Sequence, residues 1–193
     1  MGGWARGGDR SLPDPRRRRL CKLGLFAAAA CLFPATARAV TRPVDAADRR
    51  LVFFNTHTGE TLEAVYFRAG GYDPAALRAI HHILRDHRSG CVHPIDPALL
   101  DLLHVLGQRL GRDPRYEVIS GYRSPETNAL LRARSRGVAS GSLHTAGKAI
   151  DVRITGLPCR TLRNEAAALA AGGVGYYPAS DFVHLDVGRV RCW

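Results

Sequence analysis

Two short stretches in the C-terminal part of the sequence constrain the fold most, because each places metal-binding side chains beside a strand-like pattern. In the first stretch, His144 and Asp151 are seven positions apart. In the second, Asp181 stands three positions before His184. Two imidazoles and one carboxylate make a three-ligand set for a catalytic zinc, with the fourth position left for water. A fold that uses this set must bring both stretches to one place.

Each of these residues also has an ordinary explanation when it is taken alone. A single histidine is most often a surface residue, and an aspartate before a strand is commonly a cap or turn residue. The combination favours a metal centre, because Asp151 falls inside a predicted strand over 149–154 and His184 inside another over 182–187. His144 lies on the loop that enters the first strand. If the two strands are neighbours, three ligands converge from rigid backbone.

Apolar patterns and turn residues predict six strands and four helices. The strands lie over 51–57, 61–67, 116–119, 149–154, 174–177 and 182–187, and the helices over 74–87, 98–110, 125–136 and 161–171. Asp73-Pro74 and Asp96-Pro97 begin the first two helices, because aspartate accepts from free N–H groups and proline suits the first helical position. The order of elements indicates an α+β fold with a mostly antiparallel central sheet and helices packed on one side.

The first 39 residues have the pattern of an export signal. Four arginines at 16–19 precede an apolar stretch over 20–33, and Ala37-Arg38-Ala39 forms a small-x-small cleavage site. The apolar stretch is shorter than the about 20 residues that span a bilayer, so no stable membrane insertion is expected after cleavage. Residues 17–22 also resemble a twin-arginine signal, and that route and the Sec route both stay open.

Cleavage after Ala39 would leave a linker over 40–50 and one domain over 51–193, in an exported, periplasmic protein. It also changes the net charge. The whole chain carries 28 basic and 17 acidic residues, a net of +11, and residues 1–39 hold eight of the basic and two of the acidic ones. The remaining +5 fits an anionic polymer as partner. No nucleic-acid motif is present, so no nucleic acid is expected, and the oligomeric state stays open.

Three cysteines follow the export signal, at Cys91, Cys159 and Cys192. An odd number in an exported chain permits at most one bridge. We expect Cys159 to pair with Cys192, because that bridge would hold the C-terminal residues near the last helix.

Five histidines lack a partner at the spacing of a helical metal site and are interpreted as solvated: His81, His82, His87, His93 and His104.

Three further side chains are candidates for the reaction itself. Asp181 can act as a general base that takes a proton from water, the alternative being a turn residue. Arg123 follows a predicted strand, where its guanidinium can hold a substrate carboxylate or an oxyanion, the alternative being a surface arginine. Asp186 lies two positions beyond His184 on the same strand face, and either orients a ligand or is a strand-end carboxylate.

The combined motif resembles that of a known enzyme group. Ser142-x-His144-x-x-Gly147-x-Ala149-x-Asp151, followed by Asp181-x-x-His184, resembles the LAS zinc metallopeptidases of the D-Ala-D-Ala carboxypeptidase and dipeptidase type. The chain is most similar to the bacterial exported branch of murein endopeptidases within that group. Further matching segments lie at 55–60, 93–96, 120–125, 172–177 and 182–184, so that the similarity covers nearly all of 48–193.

The resemblance implies a hedgehog-like or D-Ala-D-Ala-peptidase-like fold and one zinc ion per chain. It implies His144, Asp151 and His184 as zinc ligands, Asp181 as the base, and Arg123 as the contact to substrate or oxyanion. Ser142 and Asp186 would orient ligands or contact substrate. In some relatives the base position holds glutamate, and aspartate is one methylene shorter. Cys159 and Cys192 are not part of the family pattern.

The resemblance also implies the activity, a zinc-dependent endopeptidase that hydrolyses murein peptide cross-links by metal-activated water. Two alternatives stay open: a D-Ala carboxypeptidase on the same substrate, and a non-catalytic zinc-containing module that binds the cell wall. A narrow, closed cleft would favour the carboxypeptidase, and an open groove the endopeptidase. The presence of Asp181 and Arg123 argues against the binding module, because a purely structural zinc site needs neither.

Overall fold

The computed structural model describes residues 47–111, 113–134 and 139–193. Within these ranges the strands are β1 (Arg49–Asn55), β2 (Thr61–Arg68), β3 (Gly71–Tyr72), β4 (Arg115–Ser120), β5 (Ala149–Ile154), β6 (Gly173–Tyr177), β7 (Phe182–Asp186) and β8 (Arg191–Cys192). The helices are α1 (Pro74–Ile83), α2 (Pro97–Arg109), α3 (Pro125–Arg134) and α4 (Cys159–Leu169). Two short 3-10 helices cover Leu143–Ala146 and Pro178–Ser180.

The strands form one sheet in the order β3-β2-β1-β4-β5-β7-β6-β8. Neighbours β1 and β4 run parallel, as do β6 and β8, and the other neighbouring pairs are antiparallel. The return from β2 through α1 and α2 explains the parallel β1–β4 pair, since parallel neighbours need a long crossover connection. The predicted α+β class is confirmed, and the sheet is mixed, with five antiparallel and two parallel neighbouring pairs among the described strands.

One face of the sheet carries the apolar core. Alternate residues of the central strands, such as Phe53, Tyr116, Val152 and Leu185, join one buried cluster with side chains of α1, α2 and α4. Full burial of each large aliphatic or aromatic side chain contributes about 1.5–3 kcal/mol. Because strand side chains alternate between faces, the intervening residues of β5 and β7 point to the opposite face. That opposite face carries the candidate site.

Aspartate caps begin α1 and α2 as predicted. Asp73 Oδ1 accepts from the backbone N–H groups of Ala75 and Ala76, and Asp96 Oδ1 accepts from that of Ala98. The prediction placed the end of the first helix too late, since α1 ends at Ile83 rather than at 87. The chain leaves the helix there because Leu84 and Asp86 bind the loop after β4.

The contact between residues 84–86 and the β4–α3 loop fixes the backbone around Arg123. The Tyr122 N–H donates to the Leu84 carbonyl over 2.7 Å, and the Asp86 carboxylate accepts from both the N–H and the hydroxyl of Ser124. A Cβ at Gly121 would collide with the Leu84 carbonyl, so this close approach requires glycine.

The predicted Cys159–Cys192 bridge is wrong. Cys91, Cys159 and Cys192 are all free thiols. Cys159 Sγ lies 3.2 Å from Asp181 Oδ1 in the turn that joins β6 and β7, whereas Cys192 pairs with Val174 near the other end of β6. The sheet register therefore separates the two thiols, which the sequence did not indicate.

The predicted export signal over 1–39 and the first part of the predicted linker over 40–50 lie outside the described residues. The linker prediction extends slightly too far, since β1 begins at Arg49. Among the helices that the structure describes, none has the length and apolarity to cross a bilayer.

Candidate metal centre

Three predicted ligands meet on the polar face of the sheet. His144 Nε2 lies 3.2 Å from His184 Nδ1 and 3.3 Å from Asp151 Oδ1. His184 Nδ1 and Asp151 Oδ1 are 2.8 Å apart. Among the described residues, one group of side chains could hold a metal ion, and it consists of His144, Asp151 and His184. A loop and two strands thus bring one nitrogen or oxygen atom each to a common point.

Strand pairing positions two of the three side chains. Asp151 on β5 and His184 on β7 are register partners in an antiparallel pair. Directly opposite residues share a face of the sheet, with Cβ atoms about 4.5–5.5 Å apart. The convergence of carboxylate and imidazole therefore follows from the backbone.

The third side chain comes from a tight turn. His144 lies in the 3-10 helix Leu143–Ala146, which ends at Gly147 in the left-handed region with φ 65°. A Cβ at Gly147 would collide with the Pro94 carbonyl, and Asp96 N–H donates to the Gly147 carbonyl over 2.9 Å. Glycine is therefore needed both for the turn and for its close packing, which turns His144 towards β5.

Hydrogen bonds orient both imidazoles. His144 Nδ1 lies 2.7 Å from the Gly121 carbonyl, and His184 Nε2 lies 3.1 Å from Asp186 Oδ2. An acceptor at each of these nitrogens places the ring proton there, which directs the lone pair of the other nitrogen at the common point. Two imidazole lone pairs and one carboxylate oxygen then face one another. Three such acceptors need a cation among them, either a proton on one imidazole or a metal ion, and the donor set is one that fits a metal ion.

Asp186 is fully buried beneath His184. Burial alone opposes its ionisation, but hydrogen bonds from His184, Arg191 and the backbone N–H groups of Gly188 and Gly173 outweigh burial and hold the pKa of Asp186 well below its usual range. Arg191 binds both carboxylate oxygens, over 2.7 and 3.2 Å. The structure thus places Asp186 where it can orient His184 and keep its ring nitrogen protonated towards the interior.

The charge balance of the ligand cluster depends on Asp151 and His184. Burial opposes ionisation of Asp151, but the neighbouring His144 and His184 reverse that effect and lower its pKa. For His184, burial lowers the pKa, and the two aspartates on either side raise it above the usual value. Asp151 is therefore ionised, which metal coordination requires.

Arg123 lies beside the cluster, with Nη2 4.0 Å from Asp151 Oδ2. Its hydrogen bonds to Asn128 Oδ1 and Ser120 Oγ are long, at 3.4 and 3.5 Å, and its buried Nε has no hydrogen-bond partner among the described residues. Burial lowers the pKa of Arg123, an effect that Asp151 partly offsets. The guanidinium therefore retains donor capacity for an anionic ligand.

A cleft of about 490 Å³ opens above the three ligands. Arg123, Ser142 and Leu143 line one part of it, whereas an aromatic wall of Tyr177, Phe182 and Trp193 lines another. Sequence reasoning placed Arg123 and Ser142 here but missed the aromatic wall and Arg191. Arg191 lies on β8 and Trp193 directly follows it, and this strand is too short to predict from the sequence. The sequence signal for these two side chains was the pair of glycines at 173 and 175, which leave room for them.

The structure does not bring Asp181 to the cluster. Asp181 has the left-handed φ of 52°, its side chain is 68 % exposed, and its carboxylate contacts Cys159 Sγ and Arg153 Nη1, the latter at 3.6 Å. It lies in a second groove with Glu117 and Arg153, whereas its neighbour Phe182 lines the ligand cleft. The assignment of Asp181 as base stays a prediction.

An α+β domain that holds two imidazoles and one carboxylate at the base of an open cleft has the ligand set found in many zinc hydrolases. The chain belongs to the Peptidase_M15_2 family, described as peptidoglycan L,D-endopeptidase MepK, whose model matches residues 44–193.

Relatives of known name agree with that family. The chain is 44% identical over 183 residues to the peptidoglycan L,D-endopeptidase MepK of Escherichia coli K12, covering 93% of this chain and 98% of that protein. The Haemophilus influenzae Rd protein named probable peptidoglycan L,D-endopeptidase MepK is 42% identical over 182 residues, covering 93% of this chain and 96% of that protein. No solved structure matched, so the hedgehog-like detail of the fold prediction stays a prediction.

Proposed function

We propose that this protein is a zinc-dependent murein endopeptidase that hydrolyses L,D peptide cross-links of peptidoglycan. The observation that carries the proposal is the meeting of His144, Asp151 and His184 at the base of the cleft. Two nitrogens and one oxygen are the donor set of many catalytic zinc sites. The printed names of the relatives supply the substrate class and the type of bond.

Zinc, when bound, supplies a Lewis acid that polarises a peptide carbonyl and acidifies water. The residues of the chain do the remaining work. Asp186 holds His184 in the tautomer that a ligand needs, and the Gly121 carbonyl does the same for His144. The aromatic wall excludes water from one side of the cleft, which strengthens charge interactions inside.

Arg123 is the proposed contact to negative charge on the substrate. Its guanidinium is largely buried, borders the ligand cluster, and has donor groups that its present neighbours satisfy poorly. A planar fork of this kind binds a carboxylate or a developing oxyanion through two parallel hydrogen bonds. A purely structural metal site has no use for a buried arginine, which favours an enzyme over a binding module.

Asp181 remains the proposed general base, and this role requires a change of conformation. Among the described residues that line the cleft, Asp151 is the only carboxylate, and it is a proposed ligand. Asp181 adjoins the lining through Phe182 and sits in a turn in the left-handed region, which aspartate adopts more readily than most residues. Relaxation of that turn would release the carboxylate from Arg153 towards the cleft.

The shape of the polar face favours an endopeptidase over a D-Ala carboxypeptidase. A second groove of about 550 Å³, lined by Glu117, Arg153 and Pro158 among others, lies on the far side of the Asp181–Phe182 turn. The cleft over the ligands and this second groove together give room for a substrate that extends beyond the metal centre. A cross-link between two stem peptides has that form, whereas a terminal D-Ala does not.

The proposed substrate fixes where the enzyme works. Murein lies outside the cytoplasmic membrane, so we propose that residues 1–39 direct export, that cleavage follows Ala39, and that the peptidase domain begins with β1 at Arg49. The partners are then peptidoglycan peptides in the periplasm, with one zinc ion per chain.

Incubation of the purified protein with cross-linked sacculi tests the proposal, with products identified by mass spectrometry. We expect L,D cross-links to be cut, a chelator to stop the reaction, and added zinc to restore it. Release of terminal D-Ala alone would identify a carboxypeptidase. Retention of the protein on intact sacculi without cleavage would identify a binding module.

A further inference from the structure

Trp193 is half-exposed, at 50 %, yet the structure fixes both its backbone and its side chain. Its N–H donates to the Val174 carbonyl over 3.2 Å, and its carbonyl accepts from Tyr176 N–H over 2.9 Å. The indole N–H donates to the Tyr177 hydroxyl over 2.9 Å. Trp193 thus holds a large aromatic ring at the rim of the cleft, and much of that ring faces water. This arrangement suits contact with a ligand rather than packing in the apolar core.

The ring lies next to a proposed metal ligand. The centroids of the Trp193 and His184 rings are 5.3 Å apart, and the Arg191 guanidinium carbon is 4.7 Å from the indole centroid. Gly175 is the register partner of His184, and a Cβ there would lie 2.7 Å from the indole. Glycine at 175 therefore lets the indole lie over β6 beside His184.

The neighbouring residues extend this surface. The Tyr177 and Phe182 rings stack with centroids 4.6 Å apart, and Tyr177 is the residue to which the indole N–H is bonded. Arg191 is already engaged with Asp186, so it adds little free charge to the aromatic side. The three rings of Tyr177, Phe182 and Trp193 thus form a continuous aromatic surface beside the metal ligands, which suits an aliphatic segment of a peptide.

We propose that Trp193 is a specificity residue, the platform on which an aliphatic side chain of a murein stem peptide lies next to the bond to be cut. This inference rests on the proposed function, because it assigns the substrate of the same cleft. A rigid aromatic anchor in a partly desolvated pocket carries a large share of binding energy at many interfaces. Trp193 binds substrate and does not take part in the chemistry.

The tryptophan content of the chain offers a direct binding measurement. The sequence holds two tryptophans, Trp4 and Trp193, so the full chain with Trp4→Phe reports on the platform alone. We expect a cross-linked muropeptide dimer, added to the metal-free protein, to change the Trp193 emission in a saturable way. No change on addition of the dimer, in a protein that cleaves the same dimer once zinc is present, would overturn the inference and leave the proposed function intact.

Steady-state kinetics can distinguish whether Trp193 binds the substrate or only supports the side chain of His184. We expect Trp193→Ala to raise KM by about 10- to 30-fold with kcat within about threefold of wild type, and Trp193→Phe to give a smaller rise. Tyr72→Ala, which removes a 40 % exposed aromatic at the opposite edge of the sheet, is the matched control and should leave KM unchanged. A loss confined to kcat, or weakened zinc binding in Trp193→Phe, would overturn the inference in favour of a supporting role.

Discussion

Asp151 and His184 stand opposite each other on β5 and β7, with Asp151 Oδ1 2.8 Å from His184 Nδ1. The antiparallel register therefore fixes two of the three proposed ligands. A slip of one residue would turn His184 to the apolar face and bring Val183 or Leu185 to the cleft. Because the site follows from strand pairing, single substitutions can remove a ligand while the paired backbone stays in place.

Replacement of His184 by alanine should remove zinc and activity together. One of three proposed ligands is lost, so we expect zinc affinity to fall by at least about 100-fold and murein cleavage to become undetectable. Zinc per chain and release of uncross-linked muropeptides measure the two effects. His104→Ala, on α2 beside Gln108, is the matched control and should behave as wild type. A variant at 184 that keeps one zinc and full activity would exclude the proposed centre.

Asp186→Asn tests the support beneath His184. An amide accepts the His184 Nε2–H more weakly than a carboxylate does, and it no longer balances Arg191. We expect a loss of about 10- to 100-fold in zinc affinity, as is usual for partners of metal-bound histidines. Competition with a chromogenic zinc chelator gives the affinity. Unchanged affinity would show that the tautomer of His184 does not depend on Asp186.

Arg123→Lys should impair turnover and leave zinc in place. Lysine keeps the charge but loses the planar fork that binds a carboxylate or an oxyanion. We expect kcat/KM to fall by about 10²- to 10³-fold, the usual effect of removing an oxyanion donor. The exposed Arg132→Lys on α3 is the matched control. If the variant at 123 kept wild-type kcat/KM, the contact to negative charge would have to come from another group.

Asp86 makes stability depend on pH and holds the loop that carries Arg123. Burial raises its pKa, but hydrogen bonds from Thr127, Ser124 and the Arg88 N–H outweigh burial and place the pKa well below the ordinary 3.8. A depressed pKa stabilises the fold above the unfolded value, and this contribution is lost as pH falls from about 4 towards the folded pKa. The free energy of unfolding should therefore fall more steeply below pH 4 in wild type than in Asp86→Asn. Parallel curves for the two proteins would contradict this assignment.

Much of the site follows from local patterns in the sequence. The predicted strand over 149–154 coincides with β5, and the two Asp-Pro pairs begin α1 and α2 as expected. The strand patterns placed Asp151 and His184 inside two predicted strands that could be neighbours, and His144 on the loop that enters the first of them. These features depend on residues close in sequence, which is why the sequence predicts them.

Other features depend on contacts between distant segments. The strand β8 has two residues and exists only because it pairs with β6, so no pattern within it reveals Arg191 and Trp193 as part of the cleft. The early end of α1 depends on the carbonyl of Leu84 reaching Tyr122. The separation of Cys159 from Cys192 depends on the register of the sheet. The direction of the Asp181 side chain depends on Arg153, which lies 28 positions earlier in the sequence.

Asp181→Asn is the sharpest test of the proposed base, because asparagine keeps the shape of the side chain but cannot accept a proton. If Asp181 moves into the cleft during the reaction, the variant should keep one zinc and lose about 10²- to 10⁴-fold in kcat. Cys159→Ala removes a contact that holds the carboxylate outside the cleft, so it should retain activity. Full activity in Asp181→Asn, with zinc bound and Cys159→Ala also active, would reduce Asp181 to a turn residue that pairs with Arg153.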